Sequence, residues 1–131
     1  MIIRPATTDD LFFIDEIYNL AILTRQSTAD TIPYTHAERE AWYRGHDPNR
    51  YPVFVAEENG IVTGYGSLSP YRPRREALRY AAEVSYFVHP GHHRRGIGSI
   101  LLSHAIETAP ACNIKHLVAI LGNNKRQYRP A

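Results

Sequence analysis

Apolar and polar positions follow two periods along this chain, and the switches between them mark out its elements. A short apolar start, "MIIRP", closed by Pro5, suits a strand, because proline cannot continue a ladder. Thr7 followed three residues later by Asp10 forms a capping-box signature, and Leu11, Ile14, Ile17, Tyr18, Ala21 and Ile22 then recur at helical spacing. A second such signature, Thr35 with Glu38, just behind Pro33, opens a shorter and more polar helix through Trp42. "YPVFVAEE" and "IVTGYGSLS" flank Asn59-Gly60, the dipeptide favoured by a two-residue hairpin turn, and so predict two antiparallel strands.

Residues 70–79, "PYRPRREALR", hold too much proline and arginine for a core and lead to another strand, "YAAEVSYFV", ended by Pro90. Beyond Gly96 and Gly98, Ile97, Ile100, Leu101, Ala105 and Ile106 share one helix face until Pro110. "KHLVAILG" reads as a buried strand, and the helical crossover before it predicts that it runs parallel to its predecessor. The predicted order is β-α-α-β-β-β-α-β, one α/β domain over residues 1–131 with no internal repeat. The polar ending "NNKRQYRPA" leaves the last apolar strand as an uncovered edge, so the C-terminus reads as incomplete.

Composition narrows the class. A chain of 131 residues is large enough to bury a core without disulfides or metals, and its single cysteine, Cys112, has no internal partner. With no basic, apolar leader and no bilayer-spanning apolar run, the expectation is a soluble protein of the reducing cytoplasm, without a membrane partner. The net charge of +2 conceals a polarity: residues 1–58 carry five Arg against ten Asp and Glu, a net −5, and residues 59–131 carry ten Lys and Arg against three Glu, a net +7. A basic half of this kind suits an acidic ligand, although solvated surface charge explains many such imbalances.

"VHPGHHRRGIGS" concentrates the chemistry. Gly96 and Gly98 allow a tight turn into a helix and close approach to the backbone, and the helix start with Arg94 and Arg95 favours phosphate oxygens. A plain structural turn explains the glycines equally well, since neither the dinucleotide fingerprint nor a P-loop is complete. His89, His92 and His93 lack the separated ligand pairs of a zinc site, so no metal is expected. "RPRR" and "HHRR" come without any RNA-binding or helix-turn-helix signature, so no nucleic-acid partner is expected either. Glu83 interrupts an apolar strand, where an unpaired carboxylate is costly; it is either a reactive acid or one that faces solvent or an arginine.

The order of elements, the acid in the strand before the loop and "VHPGHHRRGIGSILL" resemble the GNAT superfamily of N-acetyltransferases. "IIRPAT", "EIYN", "EREAW", "YPVFVAEENG", "YRPR" and "EVSYFVHP" resemble its phosphinothricin and methionine sulfoximine acetyltransferase branch, over Met1 to about Gly122. Two departures stand out. His93 occupies the position where the family carries Arg or Gln, and the family continues after the fifth strand with a helix and two further strands that this chain lacks.

The resemblance implies a mixed-sheet GNAT fold, acetyl-CoA as co-substrate, and acetylation of the primary amine of a small amino acid or analogue by direct attack in a ternary complex. It implies that His93, Arg94, Arg95, Gly96, Ile97, Gly98 and Ser99, with Asn124, hold the coenzyme, and that the main chain of Tyr86, Phe87 and Val88 runs beside the pantetheine arm. Glu83 would accept the proton of the incoming ammonium, and Arg72 and Arg74, beside Arg75, would clamp the acceptor's acidic groups. Family members are commonly homodimers. The proton donor to the leaving thiolate is left open, Tyr128 being the only tyrosine of the tail. The alternative is a truncated or degenerate member that binds coenzyme A or a partner chain without turnover.

Overall fold

The computed structural model describes residues 1–24, 34–71, 80–92, 96–121 and 124–128. Its elements are β1 (Ile2–Pro5), α1 (Leu11–Thr24), α2 (His36–Arg44), β2 (Val53–Glu58), β3 (Ile61–Pro70), β4 (Ala81–Val88), α3 (Ile97–Thr108), β5 (His116–Leu121) and β6 (Asn124–Tyr128). No helix among the described residues is long and apolar enough to cross a membrane.

Both predicted capping boxes form. The Asp10 carboxylate accepts from the Thr7 N–H at 2.8 Å, and Thr35 and Glu38 exchange bonds of 3.1 and 2.8 Å at the start of α2. Burial, the largest single influence, would raise the Asp10 pKa; the Arg4 guanidinium, joined by two bonds of 2.8 and 2.9 Å, and the bonds from Thr7 together outweigh it and hold the carboxyl below its ordinary 3.8. Arg4 also reaches Glu57 at 3.0 Å, which ties β1 to β2. Asn59 and Gly60 both take positive φ, 53° and 79°, so the β2–β3 hairpin turns as a two-residue loop should.

The strands pair in chain order, β1-β2-β3-β4-β5-β6, antiparallel everywhere except between β4 and β5. The mixed α/β order predicted through β5 is thus observed, including the parallel pair across α3. The tail departs from it: Asn124–Tyr128, where no element was predicted, forms β6 and pairs along β5, so the edge expected to lie open is covered. Its polar sequence adopts a strand because a neighbouring ladder is on offer, not because of intrinsic preference.

Two cores flank the sheet. On one face, α3 packs Ile97, Leu101 and Ala105 over Leu68, Val84 and Leu117. On the other, α1 covers Val53, Val55 and Tyr65 with Leu11, Ile14, Ile17 and Tyr18, and Trp42 and Tyr43 of α2 pack against the same cluster. Gly66 makes the first arrangement possible, since a Cβ there would stand 2.5 Å from the Phe54 ring.

Candidate functional site

The site is organised by β4. Its ladder to β3 runs along all of the strand but its first residue, from Pro70↔Ala82 to Gly64↔Val88. Its ladder to β5 covers only Ala81↔His116 to Val84↔Ala119, after which β5 continues in register with β6. The two parallel neighbours therefore part company one residue beyond Glu83.

Alternation along β4 puts Ala82, Val84, Tyr86 and Val88 on the α3 face and Glu83, Ser85 and Phe87 on the other. Glu83 is half-buried, in register between Ser69 and Val118. Among the described residues it makes no ion pair or side-chain hydrogen bond, so the reading in which an arginine neutralises it finds no support there.

After β4 the chain makes one tight turn, Pro90–His92, held by the His89 N–H to Thr63 C=O bond at 2.9 Å and the Gly91 N–H to His89 Nδ1 bond at 3.0 Å. Because Nδ1 accepts from Gly91, the imidazole proton sits on Nε2, which lies 3.6 Å from the Glu16 carboxylate. His92 is ring-to-ring with His89 at 5.6 Å. Among the described residues no group of three or more His, Cys, Asp or Glu side chains could hold a metal ion.

Gly96 then caps α3 with φ 77°, a left-handed conformation that L side chains rarely adopt. A Cβ at Gly96 would meet nothing within 4 Å, so the glycine is required by the backbone and the space in front of it is open. Behind it, buried Ile97 anchors the helix, Gly98 passes so near Tyr86 that a Cβ would lie 3.4 Å from its ring, and Ser99 is exposed. Among the described residues no side chain caps this helix, and no acid occupies its first turn, which leaves its backbone N–H groups and the positive end of its dipole for an anion.

Of the residues singled out in the sequence, Tyr86 and Val88 thus lie beside Gly98 at the start of α3, with Gly96, Ile97 and Ser99 next to it in the chain, whereas Glu83 and Phe87 project from the other face of β4. Asn124 opens β6 opposite Leu121, and Tyr128 lies at its other end opposite Leu117. His93, Arg94, Arg95, Arg72, Arg74 and Arg75 fall outside the described residues.

The sequence reading missed a second layer on the Glu83 side. Phe87 stacks on Tyr65 at 5.3 Å and meets Tyr18 edge-on at 5.7 Å; Tyr18 meets Tyr34 at 5.2 Å. Burial pushes the Tyr65 phenol far above its ordinary 10, so it stays protonated. Behind these rings lies Arg39, bonded through Nε to Asp15 at 2.6 Å. The available signal was its spacing: Arg39 precedes Trp42 and Tyr43 by three and four residues, and so shares their helix face.

Comparison with known proteins gives a consistent picture. The profile of the Acetyltransferase (GNAT) family matches residues 14–129. An L-methionine sulfoximine/L-methionine sulfone acetyltransferase of Salmonella typhimurium is 41% identical over 118 residues, covering 90% of this chain and 68% of that protein. An L-amino acid N-acyltransferase of Escherichia coli is 39% identical, covering 90% and 67% respectively. A GNAT superfamily phosphinothricin acetyltransferase from Sinorhizobium meliloti, solved in complex with acetyl-CoA, superimposes with a TM-score of 0.86 at 33% identity, covering 92% of this chain and 65% of that one.

Proposed function

The chain belongs to the acetyltransferase (GNAT) family, and from that membership we propose that it moves the acetyl group of acetyl-CoA to the primary amine of a small amino acid or analogue, of the phosphinothricin and methionine sulfoximine kind, by direct attack in a ternary complex. The names of its relatives support the substrate class. The observation that carries the reading is the placement of Glu83: a half-buried carboxylate, without a described partner, one residue before β4 and β5 separate and on the strand that leads into the open glycine turn.

In this reading the backbone N–H groups at Ile97 to Ser99, with His93, Arg94 and Arg95, receive the pyrophosphate, as a helix start without an acidic cap favours. The main chain of Tyr86 to Val88 takes the pantetheine arm, and a strand-end N–H polarises the thioester carbonyl. Arg72 and Arg74 orient the amino acid through its acidic groups. Glu83, directly or through one water, accepts a proton from the acceptor's ammonium; the freed nitrogen lone pair forms the C–N bond, the C–S bond breaks with departure of the coenzyme A thiolate, and the second proton shed by the nitrogen balances protonation of that thiolate to the free thiol. Because the amine reacts only when neutral, the rate rises with pH as the amine loses its proton.

Glu83→Gln tests the assignment. It keeps the shape and removes the base, so kcat/KM for the amino acid is expected to fall by about 10²- to 10⁴-fold, while acetyl-CoA binding by calorimetry stays within about twofold of the parent. Full turnover in the variant, measured by release of free thiol, assigns the proton to another group.

A further inference from the structure

We infer that Arg39 is a positioning residue for the amine-acceptor half of the site, acting through Tyr18 and Tyr34 on Phe87. The inference rests on the acetyltransferase reading above and adds to it a residue remote from the reacting atoms.

Arg39 is 1% exposed. Its Nε donates to Asp15 at 2.6 Å, and its Cζ stands 4.3 Å from the Tyr34 ring, 4.7 Å from Trp42 and 4.9 Å from Tyr18. One of its nitrogens, Nη2, is buried with no hydrogen-bond partner. Taking a guanidinium out of water is expensive, and a single carboxylate with one orphaned nitrogen offsets this incompletely. If the position served only to pack α2 on α1, a methionine or leucine would do so without that penalty.

What the guanidinium adds is direction. A cation attracts the faces of aromatic rings and so fixes their orientation, where an aliphatic side chain would only fill space. Two of the three rings it holds lead toward the strand: Tyr34 contacts Tyr18 at 5.2 Å, and Tyr18 contacts Phe87 at 5.7 Å. Tyr65 backs Phe87 from the other side at 5.3 Å, and Trp42 meets Tyr65 at 6.3 Å. Phe87 follows Glu83 by four residues and projects from the same face of β4. Tyr86, Val88 and Gly98 lie on the opposite face, against α3. The Arg39 cluster therefore adjoins the side from which the amine must reach Glu83 and is separated by the sheet from the side chains around the glycine turn.

This asymmetry makes the inference testable with a readout that general loosening would not produce. Arg39→Met should raise KM for the amino acid about tenfold, a size typical of couplings through packed side chains, and leave KM for acetyl-CoA within about twofold. Arg39→Lys keeps the charge without the planar fork and should recover part of the acceptor KM. If Arg39→Met fails to fold, Asp15→Asn removes the charge that holds the guanidinium and is read in the same way.

Trp42 supplies an independent reporter, since it is the only tryptophan of the chain and stands 4.7 Å from the guanidinium carbon. Adding phosphinothricin or L-methionine sulfoximine to the parent protein with coenzyme A should change its emission, and coenzyme A alone should not. Equal changes in both KM values, or none, in protein that turns over amino acids overturn the Arg39 inference alone. Absence of turnover by the parent with every amino acid tested, in protein that binds acetyl-CoA, overturns the underlying reading and this inference with it.

Discussion

On the α3 face of the sheet, Leu68, Val84, Leu101, Ala105 and Leu117 make a largely aliphatic interior around the Phe54 ring, whereas on the opposite face Tyr18, Tyr34 and Trp42 close around Arg39 and its bond to Asp15. Both bury comparable elements against the same strands, by different means. The α3 face gains its stability chiefly from area and fit, quantities that respond to volume. The aromatic face accepts a buried charge and in return holds several rings in set positions. β4 separates the two and presents alternate side chains to each, so one strand serves a face built for stability and a face built for placement.

The contrast is broken most severely by Leu101→Ala. Leu101 is fully buried on the α3 face, and its truncation should cost about 2–5 kcal/mol in denaturant unfolding, with the remaining folded protein keeping its acceptor KM. An acceptor KM that changed as much as it does in Arg39→Met would show that the faces do not divide the labour. Gly96→Asp comes next. Acetyl-CoA at one hundred times its Kd should stabilise the parent by about 2.7 kcal/mol, seen as a rise in Tm, and the variant should lose that rise because a carboxylate and a strained backbone replace the open anion site. An undiminished rise would move the coenzyme away from this turn.

The smallest effect separates the faces by pH. Among the described residues, each side of the sheet has one histidine whose pKa burial lowers below 6.5: His46, opposed by its bond to the Trp42 carbonyl, and His104, opposed by Glu107. His46 lies 4.7 Å from the Trp42 ring and donates Nδ1–H to the Trp42 carbonyl at 2.7 Å; His104 lies 4.8 Å from Phe54. The unfolded chain takes up these protons first, so neither histidine alters stability well above pH 6.5, and stability should fall as the pH drops from 6.5 toward the lower folded values. Urea midpoints for His46→Asn and His104→Asn apportion that fall between the faces. A slope unchanged in both variants overturns its assignment to these histidines.

Much of this arrangement was legible in the residues. Caps at Thr7 and Thr35, the Asn59-Gly60 turn and the helical spacing of α1 and α3 are local signals, and local chemistry decided those elements. Glu83 stood out because a charge interrupts an apolar run, and Gly96 because a left-handed helix cap needs glycine. β6 was not legible: "NKRQY" carries no apolar face and is a strand only by virtue of its partner. Arg39 was hidden by its surroundings, since an arginine between Glu38 and Glu40 in a polar helix reads as solvent-facing until its company with Trp42 and Tyr43 is noticed.

The single parallel pairing also orders events in time. β2, β3 and β4 meet as successive strands, and β5 and β6 likewise, so each group can assemble from neighbours in the chain; β4 and β5 meet only after α3 has crossed over, and then through four register pairs. The molecule is thus two locally formed pieces joined along a short seam, the contact that should form late and open early. Amide hydrogens that bridge β4 and β5 are expected to exchange faster than those at the centre of the β2–β3 ladder, and a ligand lying along the end of β4 would act as a clasp, slowing them more than any others.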